Sequence, residues 1–349
     1  MACLKNYSWI LVIAGLFVVL SSSASLHYPY HERMSLDDEN VSAQEDSLLP
    51  VIAWFSQRDT MTYWIYENQW KVRGQDTVMT LGVSAKVMLT VTDSTKKGYN
   101  MEYTFLEFGT SKEVESEVQN LIEQTIETLR DATVGTTIKF RTDELGKIIK
   151  YDNLKEIKKQ SRDVLEKVIQ KIPYTDSLLA VGYDLTKIGD LVDTDELVDG
   201  YIEELELLFN YHGGQYKLGA TRSHNDATDT EYASDSKTEI WYDSQTYEYG
   251  ISADVCNYIP KEDIKGLIGS FAEVFMEKDK MDEFRNDFNS TIDSQITEDG
   301  VRNSYLRISY FPDGWPQELV SQENTTIGES GKLSQKYIVW DYRSVGHTN

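Results

Sequence analysis

Residues 99–105 read Tyr99-Asn-Met-Glu-Tyr-Thr-Phe105. Bulky apolar side chains alternate there with polar ones, and this period of two is typical of a β-strand with one buried and one solvated face. The same alternation recurs in residues 247–255, which read Tyr-Glu-Tyr-Gly-Ile-Ser-Ala-Asp-Val. Strands of this kind form antiparallel meanders, because short turns join them and only one face of the sheet needs a cover.

Amphipathic segments separate the strand signals. Apolar residues recur every three or four positions in residues 110–129, 153–172, 195–210 and 260–275. Such stripes predict helices that lie on a sheet with one face. We therefore expect an α+β fold, with antiparallel β-meanders and amphipathic helices on one face. The order βββ, helix, hairpin occurs at 60–151 and again at 214–322, which suggests an internal duplication of a βββ-α-ββ unit.

These patterns divide the chain into five parts. The expected parts are a signal peptide (1–24), an acidic flexible arm (25–50), a first αβ half (51–173), a helical connection (174–213) and a second αβ half (214–349).

The first part has the three features of a secretory signal. Lys5 supplies a positive charge, twelve apolar or small residues run from Trp9 to Leu20, and Ser21 to Ala24 are small. Twelve residues are too few to cross a bilayer, which takes about 20. We expect cleavage after Ala24 and an exported product, periplasmic or extracellular, without an integral membrane span.

Composition narrows the range of functions. The formal net charge is −24, and it becomes −25 once Lys5 is removed. A field of this sign repels phosphates, so nucleic acid is excluded as a partner. Only Cys256 remains in the mature chain, so no intramolecular disulfide can form. An exported chain without disulfides fits a bacterial cell envelope.

No catalytic or metal motif stands out. Residues 326–332, Thr-Ile-Gly-Glu-Ser-Gly-Lys, lack the first glycine of a phosphate loop, and no His-Glu-x-x-His or paired cysteines occur. No metal or other cofactor is therefore expected. A carboxylate pair for hydrolysis stays open, because 58 acidic residues make any pair unremarkable. A sugar platform is another open interpretation, with five tryptophans as candidates: Trp54, Trp64, Trp70, Trp241 and Trp315.

Three short segments resemble other proteins. Residues 58–63, 72–76 and 310–316 look like segments of uncharacterised exported proteins of Bacteroidota-type bacteria. The order of elements is also loosely similar to that of periplasmic lipoprotein carriers. That second resemblance implies a curved antiparallel sheet around an apolar cavity, and neither resemblance implies particular functional residues.

The expected function is a non-enzymatic binding protein of the cell envelope. Each meander has an apolar face that one helix covers only in part, so we expect an apolar ligand or an envelope protein to lie in the sheet's concavity. The alternatives are an exported hydrolase that uses a carboxylate pair and an envelope scaffold. The catalytic residues and the oligomeric state are not predicted. The candidate ligand-binding residues are Tyr99, Met101, Tyr103, Tyr247, Tyr249 and Ile251.

The cleavage site can be tested by the intact mass of the protein recovered from outside the cytoplasm. We expect a chain that begins at Ser25, because Ser22 and Ala24 suit the small-residue positions of the peptidase site. A mass that retains residues 1–24 would contradict this expectation.

Overall fold

The computed structural model describes residues 47–110, 127–160, 163, 194–228, 231–265 and 296–346, apart from residues 128, 129 and 132. In these ranges the chain forms one long helix, α1 (Thr194–Phe209), and thirteen strands. The strands are β1 (Leu48–Pro50), β2 (Thr60–Arg73), β3 (Asp76–Thr95), β4 (Gly98–Thr110), β5 (Thr137–Thr142), β6 (Ile148–Tyr151), β7 (Gln215–Lys217), β8 (Gly219–Asn225), β9 (Ser234–Tyr242), β10 (Tyr249–Ile259), β11 (Gly300–Tyr310), β12 (Pro316–Ile327) and β13 (Ser330–Ser344).

Eleven of these strands form one antiparallel sheet in the order β6-β5-β4-β3-β2-β13-β12-β11-β10-β9-β8. The short strands β1 and β7 pair with each other. Neighbouring strands of the sheet are consecutive in the chain in every case except β2 and β13, so each meander is contiguous in the chain. The pairing of β2 with β13 brings the two meanders together.

The expected α+β class is wrong. Among the described residues, strands account for 61% and helices for 12%, so the fold is a β-rich antiparallel sheet. The strands are longer than alternation predicts, and β3 alone has 20 residues. Polar segments such as 321–327 and 330–335 belong to them. Because the ladder bonds are made by the backbone, a polar stretch can join a sheet when its neighbours are already in place.

The junction between the meanders is a long ladder. Fourteen pairs of residues join β2 to β13, from Arg73 opposite Ser330 to Thr60 opposite Ser344, with a bulge after Trp340. Each of these strands also pairs with its own meander, β2 with β3 and β13 with β12. The two halves expected from the sequence thus contribute to a single sheet, and their division into two units stays a prediction.

One face of the sheet is the core. Its side chains alternate with those of the other face and are almost fully buried, as Tyr63, Leu89, Tyr103, Ile251 and Ile338 show. Helix α1 covers this face with Ile202, Leu205, Leu208 and Phe209. The helix occupies almost the interval predicted from its apolar stripe, 195–210. An apolar stripe laid on an apolar sheet face is the main source of stability in such a layer.

The segment that precedes β2 closes one end of the core. Phe55 stacks on Trp315 at 4.0 Å between ring centroids, and His212 donates from Nε2 to the carbonyl oxygen of Gly314 at 2.9 Å. Burial lowers the pKa of His212 to about 4, so this ring is neutral. Gly314 has φ of 83°, and a Cβ there would meet the backbone of Ile52 at 2.2 Å. The turn at residues 312–314 therefore requires its glycine.

A charged group on the core face ties α1 to the sheet. Lys336 of β13 is 9% exposed, and its Nζ lies 2.7 Å from Glu203 and 2.9 Å from Glu204 of the helix. Glu67 of β2, opposite Lys336 in the ladder, lies 3.9 Å away. Burial opposes the charge of Lys336, but the three carboxylates outweigh it and raise its pKa. A buried cluster of opposite charges of this kind fixes the position of the helix more than it adds net stability.

Several sequence predictions lie outside the described residues. These are the signal peptide, residues 25–46 of the arm, the helix predicted at 110–129 for all but its ends, residues 174–193, and most of the helices at 153–172 and 260–275. The last three residues of the predicted arm form β1.

Neighbouring residues on β13 test the assignment of faces. Ile338 is fully buried against the core, so Ile338→Ala should lower the free energy of unfolding by about 2–5 kcal/mol. Val339 lies on the opposite face and is only half-buried, so Val339→Ala should cost less than about 1 kcal/mol. Urea unfolding of both variants measures the difference, and equal losses would contradict the assignment.

Candidate functional site

The face of the sheet opposite α1, here called the outer face, carries the candidate site. Outer-face residues occupy the positions between those of the core face, for example Asp254 and Cys256 on β10 between Ala253, Val255 and Asn257. Rows of side chains run across the strands on this face, because opposite residues of paired strands point the same way.

A groove of about 490 Å³ lies on the outer face over β8 to β12. Two rows of residues line it. The first row is Arg222, Lys237, Asp254, Tyr305 and Gln322, and the second is Asp235, Cys256, Asn303 and Asn324. Between the rows, the groove reaches Ser236, Val255 and Ser304, whose side chains belong to the core face, so the backbone of three adjacent strands forms its floor.

Most of the side chains that line the groove are polar or charged, and they carry charges of both signs. Lys237 and Asp254 face each other across β9 and β10, and Arg222 stands next to Lys237 on β8. The nearest carboxylate to the Lys237 ammonium is Glu239 of the same strand, at 3.2 Å. Within the described chain, the side chains of Arg222 and Asp254 make no hydrogen bond or ion pair. Both are exposed and free to contact a ligand.

The rim of the groove near β8 is held by a hydrogen-bonded cluster. His224 Nδ1 lies 2.8 Å from Asp235 Oδ1, and the Tyr258 hydroxyl donates to Asp235 Oδ2 at 2.7 Å. The bond from Tyr258, and then that from His224, lower the pKa of Asp235. In return, the bond with Asp235 raises the pKa of His224, with a smaller contribution from Asp226. Asp235 is thus held ionised and oriented.

Cys256, opposite Asp235 in the ladder, places a half-buried thiol in the groove. Bonding to Asp235, and secondly to the Cys256 sulfur, raises the pKa of Tyr258 to about 12. The Tyr258 hydroxyl therefore stays protonated at physiological pH and remains a donor to the carboxylate.

An apolar strip continues from the groove along the outer face. It consists of half-buried side chains on β2, β12 and β13: Trp64, Tyr66, Val320, Tyr337 and Val339. Tyr66 stacks with Trp64 at 6.1 Å and with Tyr337 at 6.3 Å between ring centroids. Lys86 lies over the Trp64 ring at 5.1 Å. We call this set the central strip.

The groove and the central strip meet on β12. Gln322 lines the groove and Val320 belongs to the strip, and the two are alternate residues of one strand on one face. Their cross-strand partners include two tyrosines, Tyr305 opposite Gln322 and Tyr337 opposite Val320. Alternate residues of a strand are about 7 Å apart, so one small molecule can contact both regions.

The structure separates the six residues nominated from the sequence. Met101, Tyr103, Tyr249 and Ile251 lie in the core. Tyr99 is half-buried and donates from its hydroxyl to the carbonyl oxygen of Ala53 at 3.0 Å. Tyr247 is 61% exposed in the turn between β9 and β10. The expected role of the six in ligand binding stays a prediction.

The tryptophans proposed as a platform are also dispersed. Trp315 is buried in the core, and Trp54 is 69% exposed beside the turn at residues 312–314. Trp64 and Trp70 share the outer face of β2, while Trp241 packs on Gly250 nearer the edge of the sheet. Only Trp64 belongs to the central strip.

Other chemistries find little support in the described part of the chain. Carboxylates converge there on basic groups, as Glu203 and Glu204 do on Lys336. Within these residues no group of three or more His, Cys, Asp or Glu side chains is arranged to hold a metal ion. The helices that the structure describes are all too short or too polar to cross a membrane.

Sequence reasoning missed the groove because its residues come from five strands. Arg222, Asp254 and Asn303, for example, are polar positions of alternating segments, which are ordinarily solvated. The alternation did identify the outer face, and the polar members of residues 247–255 include Asp254. Only the strand order, which places β8 to β12 side by side, shows that these positions share a groove.

The rim can be tested by the titration of His224. Because the bond with Asp235 is the main cause of its raised pKa, Asp235→Asn should lower that pKa toward the ordinary value of about 6.5. The ring resonances report it by NMR, with His224→Gln for assignment. Asp254→Asn, in the same groove but away from His224, is the control. An unchanged pKa in Asp235→Asn would contradict the described rim.

Comparisons with known proteins give only distant likenesses. No family model and no curated protein matches the sequence. Among solved structures, a lipovitellin structure titled for its lipid–protein interactions aligns with 84% of this chain and 26% of its own, at 8% identity and a TM-score of 0.36. An outer membrane channel from Pseudomonas putida F1 aligns with 87% of this chain and 100% of its own, at 6% identity and a TM-score of 0.14. The chain thus spans about a quarter of the lipovitellin chain.

Proposed function

We propose that this chain is an exported, non-enzymatic binding protein of the cell envelope that holds an amphipathic ligand on the outer face of its sheet. The polar part of the ligand lies in the groove, and its apolar part lies along the central strip. The observation that carries the proposal is the meeting of the two regions on β12, at Val320 and Gln322.

The dimensions support a small ligand. A volume of about 490 Å³ falls within the range of about 300–1,000 Å³ that is usual for small-molecule sites. The groove offers both donors and acceptors, among them the amides of Asn303, Gln322 and Asn324. These groups can make hydrogen bonds in place of the water around a polar headgroup. Losing that water without such replacements is the main cost of moving the headgroup out of solution.

The central strip supports an apolar segment beside the headgroup. Its rings present broad faces that are only half-buried, so a hydrocarbon chain laid on them removes apolar surface from water. Scattered exposed apolar residues are ordinary, but a contiguous strip on one sheet face is a common mark of a binding surface. In the described part of the chain, the buried side chains of the core face are already covered by α1 and the segment at 51–55.

A carboxylate-pair hydrolase fits the groove less well. Asp235 and Asp254 lie diagonally across β9 and β10, a spacing of about 7–8 Å that would suit a pair acting with water. A glycosidase acid, however, needs a raised pKa, whereas the bond from Tyr258 lowers that of Asp235. Asp254 is exposed, and no side-chain hydrogen bond from the described residues orients its carboxylate.

The proposal predicts a bound molecule in the protein purified from its native compartment. Native mass spectra should show a discrete additional mass that is lost on unfolding and is extractable into organic solvent. Tyr337→Ala removes a ring from the central strip, so it should weaken retention about tenfold, which corresponds to about 1.4 kcal/mol. The matched control is Tyr247→Ala, an exposed tyrosine outside the strip, which should retain the molecule.

Two outcomes would contradict the proposal. One is a bare polypeptide mass for the unchanged protein under native conditions. The other is equal retention by Tyr337→Ala and the parent protein, with urea unfolding confirming that the variant is folded. Loss of the molecule from Tyr247→Ala with retention by Tyr337→Ala would instead place the ligand at the residues nominated from the sequence.

A further inference from the structure

The charges in the groove are arranged in an ordered row. Arg222, Lys237 and Asp254 follow one another on β8, β9 and β10, and directly opposite residues in antiparallel strands are about 4.5–5.5 Å apart between Cα atoms. Two cationic side chains are thus followed by an anionic one along a single line on the outer face.

From this row we infer that the ligand's headgroup is zwitterionic, with its anionic group beside Arg222 and Lys237 and its cationic group beside Asp254 and Asp235. The inference rests on the proposed function and specifies the ligand class for the same site. The ligand is an amphiphile, so the apolar segment on the central strip remains part of it.

A headgroup with charge of only one sign fits this row poorly. An anion placed between Arg222 and Lys237 lies one strand away from Asp254, and a cation beside Asp254 lies one strand away from Lys237. Either ligand therefore has a like charge close by, which weakens its binding. A zwitterion meets a complementary charge at each end.

The net charge of the whole chain also favours a zwitterionic headgroup. The mature chain has a net charge of −25, so it repels a ligand with net negative charge before contact. A zwitterion is neutral overall and avoids this barrier. The two cationic residues of the row supply a local exception to the field, although Lys237 is also paired with Glu239 at 3.2 Å. Arg222, whose side chain has no partner among the described residues, is therefore the main contact for the anionic half of the headgroup.

The second row provides further polar contacts for the cationic half. Asp235 is held ionised by Tyr258 and His224, as described above. Asn324 Oδ1 is buried and, within the described residues, has no hydrogen-bond donor. A buried acceptor without a donor is costly, and the positive charge of the ligand's cationic group beside it would offset part of that cost.

Four amphiphiles with the same dodecyl chain test the inference on the full-length mature protein. They are dodecylphosphocholine, dodecyl phosphate, dodecyltrimethylammonium and dodecyl maltoside, each titrated as monomers by calorimetry. We expect dodecylphosphocholine to bind about tenfold more tightly than the others. Phosphocholine without a chain, added as a fifth probe, should bind much more weakly if the ligand is an amphiphile.

Variants locate the binding in the row. Arg222→Gln should weaken dodecylphosphocholine about tenfold. Asp254→Asn should remove the preference over dodecyl phosphate by improving the binding of the anion. The control is Lys97→Gln, which changes an exposed lysine in the turn between β3 and β4, outside both the groove and the central strip, and should leave all affinities unchanged. Because Arg222 and Asp254 are exposed, these variants should fold normally.

The outcomes separate the two proposals. If none of the five probes binds, the proposed function is contradicted. If dodecyl maltoside, or either amphiphile whose headgroup has charge of one sign only, binds as tightly as dodecylphosphocholine, the zwitterionic headgroup is contradicted and the amphipathic ligand stands. If dodecylphosphocholine is preferred but Arg222→Gln has no effect, the placement in the row is overturned.

Discussion

The structure depends on the ladder between β2 and β13. Fourteen residue pairs join strands that are more than 250 positions apart in the chain, and they convert two meanders into one eleven-stranded sheet. Without this ladder each meander would expose an edge and a half-covered apolar face. The same ladder carries Lys336, which holds Glu203 and Glu204 of α1 against the core face. Sheet and helix are thus positioned by one pair of strands.

The cover on the core face leaves the outer face of the sheet as the surface open to a ligand. Because α1 and the segment at 51–55 cover the core face, the side chains between the core positions form a second surface. Over β8 to β12 that surface is polar and grooved, and over β2, β12 and β13 it is aromatic and apolar. An amphipathic ligand is the class of molecule that matches both regions at once, and the alternation of each strand places the two on one face.

Local features of the fold could be predicted, and distant ones could not. The alternation at residues 99–105 and the bounds of α1 within one residue follow from side-chain spacing. The β2–β13 ladder does not, because no local pattern specifies a partner so far along the chain. The candidate residues were chosen for their apolar side chains, and four of them are buried in the core. The groove consists of polar positions that only the strand order brings together.

The central claim is that the outer face, and not the core, contacts the ligand. A phosphocholine amphiphile with a photoactivatable group in its chain tests this directly, because peptide mapping after irradiation shows which residues it touched. The account predicts labels on the central strip, at Tyr66, Val320 and Tyr337. Labels confined to core-face residues such as Met101 and Ile251, or to α1, would contradict it.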